Sequence, residues 1–313
     1  MTAFNPAGII PAIVSPMLDE ERLDLTAVGP YVDWLAAQGP VALAVNVDTG
    51  EGPHLSPAER RAMIEAVCAA LAGRAGVVAG VGGPATRDAV QNARDARDSG
   101  ADGLLIFPVG AFLSQPIRPD VVYRYHAEIA AAVDLPMILF QLQPALGGAI
   151  YPPEVLDRLL EIPTVVAIKE ASFDPIRFLQ MRAQLLAADR RIVFLSGNDN
   201  FIGESLLLGA EGALLGFATL GTREHVELLA AARAGDVERV RTLGQRLQRL
   251  ADVIFDAPVV DYRARTKEAL RMLGAIPSAA IRPPLLPVDD AERERIRRAL
   301  AASGLASDQL THR

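Results

Sequence analysis

The stretch Val165-Val-Ala-Ile-Lys-Glu-Ala-Ser172 decides the fold. Val165 to Ile168 form a short β-branched apolar run with no polar alternation, the pattern of a parallel strand covered by helices on both faces. Lys169 ends that run, and an ammonium there is costly unless it is used. Working outward, similar runs recur at Ile9–Val14, Ala42–Val47, Gly76–Gly80, Gly103–Phe107, Met137–Phe140, Ile192–Leu195 and Gly212–Leu215, with helical patterns between them. One helix opens at Ser56-Pro-Ala-Glu59, which supplies an N-cap, a proline in the first turn and a reciprocal capping glutamate. Another begins after Pro119, and Asp174 caps the one that follows Lys169. Eight βα units predict a (β/α)8 TIM barrel, with a doubly wound sheet as the alternative. After Thr222 only helical patterns remain, at 223–233, 236–255, 262–273 and 290–302. The expected division is a barrel over residues 1–233 and a C-terminal helical extension over 234–313.

The 313 residues carry a net charge of −7, and half of them are hydrophobic. No apolar run is long enough to cross a membrane, and no basic segment precedes the first apolar stretch, so a soluble, cytoplasmic protein is expected. The acidic balance leaves no electrostatic footprint for nucleic acid. The single cysteine, Cys68, rules out an internal disulfide and reads as a structural thiol. The histidines His54, His126, His225 and His312 stand too far apart for metal-ligand spacing, and neither metal nor cofactor is expected. The alternating charges from Glu292 to Arg298 read as a solvated helix face.

In a TIM barrel the chemistry lies at the C-terminal ends of the strands. Lys169 ends the sixth, and a desolvated amine there can attack a carbonyl to form a Schiff base. Snorkelling to solvent is its other reading. The second, fifth, seventh and eighth strands run into Asn46-Val-Asp-Thr-Gly-Glu51, Phe140-Gln-Leu-Gln-Pro144, Ser196-Gly-Asn-Asp-Asn200 and Gly216-Phe-Ala-Thr219. Thr49, with backbone amides freed by Gly50 and Gly197, suits a 2-oxo acid carboxylate. Phe140, Gln141, Asn198, Asp199 and Gly216 complete the expected substrate-binding set, with Val109 and Phe217 as further apolar rim residues.

A set of motifs runs through the chain in order: Gly8-Ile-Ile-Pro-Ala12, Thr49-Gly-Glu51 with Leu55-Ser-Pro-Ala-Glu-Arg60, Gly80-Val-Gly82, Gly100-Ala-Asp-Gly103, Ile168-Lys-Glu-Ala-Ser172, Ser196-Gly-Asn-Asp199, Gly209-Ala-Glu-Gly212 and Arg282-Pro-Pro284. On these residues the chain, over about Gly8 to Leu300, resembles the dihydrodipicolinate synthase / N-acetylneuraminate lyase family of Schiff-base barrels. The resemblance implies that Lys169 forms the imine, that the substrate is pyruvate or a pyruvate-derived 2-oxo acid, that no metal is needed, and that the protein is a homotetramer built as a dimer of dimers. Four departures stand out. Asp48 replaces a threonine of the family pattern, Phe140 replaces the proton-shuttling tyrosine, Pro108-Val-Gly110 stands where a second tyrosine is common, and Gln143 to Gly148 lack the cation that a dihydrodipicolinate synthase needs for its second substrate. That synthase activity is therefore not expected. Asp48, at the relay position, is the candidate proton carrier, its other reading being a turn residue. The expected function is a class I aldolase- or dehydratase-type lyase. The alternatives are a degenerate barrel that binds a metabolite without turnover and a phosphate-binding barrel.

Overall fold

The computed structural model describes residues 4–113 and 116–305, so His312 lies outside the described residues. Its eight strands are β1 (Ile9–Pro11), β2 (Ala42–Val45), β3 (Gly76–Val81), β4 (Gly103–Ile106), β5 (Met137–Leu142), β6 (Val165–Ala171), β7 (Val193–Ser196) and β8 (Gly212–Leu215). All pair in parallel in the order β1-β8-β7-β6-β5-β4-β3-β2. The Ala12–Ala44 bridge and the hydrogen bonds Val41 N–H to Ile9 O (3.0 Å) and Ile13 N–H to Ala44 O (2.9 Å) close the ring. The chain is a (β/α)8 TIM barrel.

Around the barrel run α1 (Leu25–Ala36), α2 (Pro57–Leu71), α3 (Thr86–Asp98), α4 (Pro119–Ala132), α5 (Pro153–Leu160), α6 (Pro175–Leu186), α7 (Ile202–Leu207) and α8 (Thr222–Arg233). Beyond them α9 (Val237–Ile254), α10 (Tyr262–Met272) and α11 (Asp290–Ser303) form a C-terminal group, with α9 packed on α8 and α7, and α11 on α9 and α10. The capping chemistry read from sequence is formed. Ser56 Oγ accepts from Glu59 N–H at 3.3 Å while the Glu59 carboxylate accepts from Ser56 N–H at 2.7 Å, and Asp174 accepts from the amides of Ile176 and Arg177. No described helix is long and apolar enough to cross a membrane.

Side-chain alternation divides the core in two. Ile10, Val78, Leu105, Ile138, Phe140, Ala167, Leu195 and Leu214 fill the lumen, whereas Ile9, Leu43, Leu104, Leu139, Ile168 and Phe194 pack outward against the helices. Two expectations change here. The sixth strand does not end at Ile168: paired with β5 through Leu142–Ala171, it carries Lys169 inside the ladder. Nor is the helix face from Glu292 to Arg298 wholly solvated, because Glu292 pairs with Arg265, which is 2 % exposed. Cys68 is half-buried, its thiol directed at Gly100 O and pushed up to about 11 mainly by burial, a form inert as a nucleophile.

Candidate active site

Because successive side chains of a strand point to opposite faces, β6 sends Ala167, Lys169 and Ala171 into the lumen and Ile168 and Glu170 outward. Lys169 is half-buried at the C-terminal rim, its Nζ 4.2 Å from the centroid of the Phe140 ring on the neighbouring strand. Burial pushes the amine down to about 8, against the opposing pull of the Asp199 and Asp48 carboxylates. The same burial raises Asp199 to about 6, opposed by Lys169 and by the Phe217 N–H that it accepts at 3.0 Å. A lowered amine beside a raised carboxylate is a pair tuned for chemistry near neutral pH.

A cavity of about 630 Å³ opens above this pair. Its lining includes Asp48, Thr49, Lys169, Gly197, Asp199 and Gly216. Phe107, Phe140, Phe173, Phe255, Val259 and Val260 make much of the wall apolar, with Phe107 edge-on to Phe140 at 5.2 Å. Val109 and Phe217, expected at this rim, are outside the lining.

The glycines act through space rather than through their amides. A Cβ on Gly197 would come within 2.5 Å of Lys169 Cε, so only glycine leaves room for the lysine stem. On Gly216 it would meet Thr49 Oγ1 at 2.5 Å, and on Gly50 the Ile13 carbonyl at 2.7 Å. The Gly50 and Gly197 amides already donate to Val47 O and Glu170 O, so neither serves the anion-binding role expected of it. Gly50 lies behind the rim, against the segment that follows β1.

Gln141 and Asn198 also depart from expectation. Both are buried and face away from the lumen: Gln141 donates to Glu170 Oε1 at 3.3 Å and accepts from Tyr151 N–H, and the Asn198 amide donates to Glu170 Oε2 at 2.8 Å. They satisfy the buried Glu170 carboxylate, which also accepts from Ser172 N–H. What they hold is the strand that carries Lys169, rather than a substrate.

Asp48 does not stand free over the amine. It opens a 3₁₀ turn at Asp48–Gly50, and the Arg263 guanidinium forks onto its two oxygens at 2.8 and 3.1 Å. Tyr262 donates its phenol to Asp48 Oδ2 at 2.7 Å and lies 3.4 Å from Thr49 Oγ1. Tyr262 and Arg263 both line the cavity and both begin α10, more than 200 residues along the chain from Asp48. The sequence reading missed them. The one signal available was Asp261-Tyr-Arg263 at the head of a helical pattern, in a chain whose fifth strand lacked a hydroxyl.

The next turn of α10 fixes this arrangement. Lys267, four residues after Arg263 and on the same face, makes a wholly buried ion pair with Glu51 and donates to Ala280 O at 2.8 Å. Glu51 holds a left-handed conformation (φ 58°) and accepts from Arg282 N–H at 2.9 Å, while Arg282 pairs with Glu59. Glu51 is thus the anchor that joins the rim loop to the C-terminal helices.

The profile of the dihydrodipicolinate synthetase family matches residues 5–303. The 4-hydroxy-tetrahydrodipicolinate synthase of Gluconacetobacter diazotrophicus is 31% identical over 95% of this chain and 97% of its own length, and that of Thermomicrobium roseum 33% over 94% of each. Among solved structures, dihydrodipicolinate synthase from Aquifex aeolicus superposes with a TM-score of 0.85 at 28% identity, covering 96% of this chain and 98% of its own. The chloride-inhibited enzyme from Acinetobacter baumannii in complex with pyruvate gives 0.84 at 30% identity, covering 96% and 100%.

Proposed function

Since the chain belongs to the dihydrodipicolinate synthetase family, we propose that it is a metal-independent class I lyase that forms an imine between Lys169 and the C2 carbonyl of pyruvate or a pyruvate-derived 2-oxo acid. The observation that carries this reading is the lumen-facing Lys169 amine, pushed down to about 8 by burial and seated over the Phe140 ring. The relative from Acinetobacter baumannii was solved with pyruvate bound.

The neutral amine attacks C2, and the carbinolamine loses water to give a protonated imine. That cation occupies the place of the ammonium over the Phe140 ring, whose face stabilises positive charge. The imine draws in the electron pair released when a bond to C3 breaks, which is the step common to aldol cleavage and to proton loss from C3. The enamine so formed takes a proton at C3, and water releases the 2-oxo acid and the free lysine. The Thr49 hydroxyl is the cavity group suited to orient the carboxylate.

The reading stops short of tetrahydrodipicolinate synthesis. Gln143 to Gly148 hold no cation, the Arg263 guanidinium in the cavity is engaged by Asp48, and the wall carries Phe107, Phe173, Phe255 and Val260. These features favour a carbonyl partner of low polarity over a second charged substrate.

The test is borohydride reduction with pyruvate, read by intact mass and peptide mapping. The sequence has two lysines, and the other, Lys267, is wholly buried against Glu51. A pyruvate adduct on Lys169, absent from Lys169→Arg because a guanidinium forms no imine, is the expected result. An unlabelled Lys169 sinks the mechanism and favours the alternative of a barrel that forms no covalent intermediate.

A further inference from the structure

Imine chemistry needs a proton carrier at two points: one proton must reach the departing hydroxyl of the carbinolamine, and another must leave C3 and return to it. The strand beside Lys169 supplies none, because Phe140 has no exchangeable proton. The cavity wall supplies four groups with the chemistry to serve: Asp48, Thr49, Asp199 and Tyr262. Asp48 has its oxygens engaged by the Arg263 fork and the Tyr262 phenol, so a proton reaches its carboxylate through that phenol. Thr49 alone is too weak an acid or base. Asp199 accepts the Phe217 amide and is coupled to the amine itself. The phenol of Tyr262 is the one group that touches two of the others, 2.7 Å from the Asp48 carboxylate and 3.4 Å from the Thr49 hydroxyl.

We propose that Tyr262, delivered by the C-terminal helix α10 and oriented by the Asp48–Arg263 pair, carries protons to and from the imine formed on Lys169. The proposal rests on the imine reading above. The Tyr262 O–H donates to Asp48, and the phenol oxygen, on a residue that lines the cavity, keeps the lone-pair capacity to accept an incoming proton. When the C3–H bond of the pyruvate imine breaks, its electron pair becomes the C2–C3 double bond and the imine π pair withdraws to nitrogen. The released proton binds the Tyr262 oxygen as Tyr262 passes its own to the Asp48 carboxylate. The reverse transfer protonates C3, and no other reactant is consumed. Burial and the neighbouring Asp48 charge push the phenol well above its ordinary value. A free phenolate is therefore disfavoured, and transfer through Asp48 is the route that avoids one. Stacking on Phe255, with ring centroids 5.5 Å apart, and the Arg263 fork hold the phenol in place.

The experiment follows methyl-proton exchange of pyruvate in D2O by NMR, alongside borohydride trapping on the same samples. The wild-type protein is expected to exchange the methyl protons. Tyr262→Phe, which keeps the ring stack, should exchange ~10²- to 10⁴-fold more slowly while still trapping pyruvate on Lys169 after long incubation, since slower dehydration delays the imine without preventing it. Trapping reports that the site is folded, a readout that a merely structural loss of Tyr262 would move. Should Tyr262→Phe fail to fold, Asp48→Asn gives the second measure: it retains the phenol, removes its proton acceptor, and is expected to slow exchange while trapping persists. Either variant trapping normally and exchanging at the wild-type rate overturns the relay and moves the role to Asp199. Absence of trapping in the wild type overturns the imine reading, and the relay with it.

Discussion

Labelling of Lys169 with a trace of acetic anhydride, across pH 5 to 11, should follow a titration centred near 8. An ordinary lysine side chain at 10.5 would be about 0.03 % neutral at pH 7, whereas one at about 8 is about 9 % neutral, a gain of roughly 300-fold in the nucleophilic form. The sign follows from burial, which penalises the ammonium and leaves the free amine untouched, so reactivity rises through pH 8 and levels off by about pH 9. The Asp199 carboxylate works in the opposite direction by favouring the ammonium. Asp199→Asn should therefore move the midpoint down, by about 1 unit for a close opposite charge. With one other lysine in the chain, and that one buried, peptide mass spectrometry assigns the label without ambiguity. A midpoint above 9.5, or an upward shift in Asp199→Asn, would refute the claim that burial, moderated by Asp199, sets this amine.

Gly197→Ala places a methyl group 2.5 Å from Lys169 Cε and 2.9 Å from Ala171 Cβ, so the amine must move. Pyruvate trapping should fall by ~10²-fold, the cost of a displacement of about 1 Å, with a smaller loss of stability; trapping at the wild-type rate would show that the lysine stem has slack. Glu51→Gln leaves the Lys267 ammonium buried without its partner and should cost about 3–5 kcal/mol in urea unfolding. The double variant Glu51→Gln, Lys267→Met should recover most of that, and a single-variant cost under ~1 kcal/mol would mean that water reaches the pair.

The barrel was legible because strands buried on both faces leave continuous apolar runs such as Val165 to Ile168, and because Ser56 and Asp174 mark helix starts with local hydrogen bonds that sequence spacing encodes. Lys169 stood out against its own run for the same reason. That continuity also hid the side of the sheet on which each polar residue lies. Gln141 follows Phe140 and Asn198 follows Gly197, yet each pair splits between lumen and helix layer, and no alternation in the sequence says which member faces inward. Tyr262 and Arg263 were hidden more deeply. Their roles depend on where α10 docks, and that docking brings together the long-range pairs of Asp48 with Arg263 and Glu51 with Lys267, to which no local pattern points.

The Glu51–Lys267 pair also bears on the order in which the protein is made. A ribosome finishes β8 at Leu215 about fifty residues before it adds Lys267, and longer still before Arg282. In that interval every strand exists, but the Glu51 carboxylate has neither of the groups that it meets in the finished molecule. A barrel closed over Glu51 at that stage would enclose an uncompensated charge, so the rim loop is expected to stay hydrated until the last helices emerge. On that expectation synthesis carries its own delay, with the strand of Lys169 available early and the cavity above it completed only when α10 has been added.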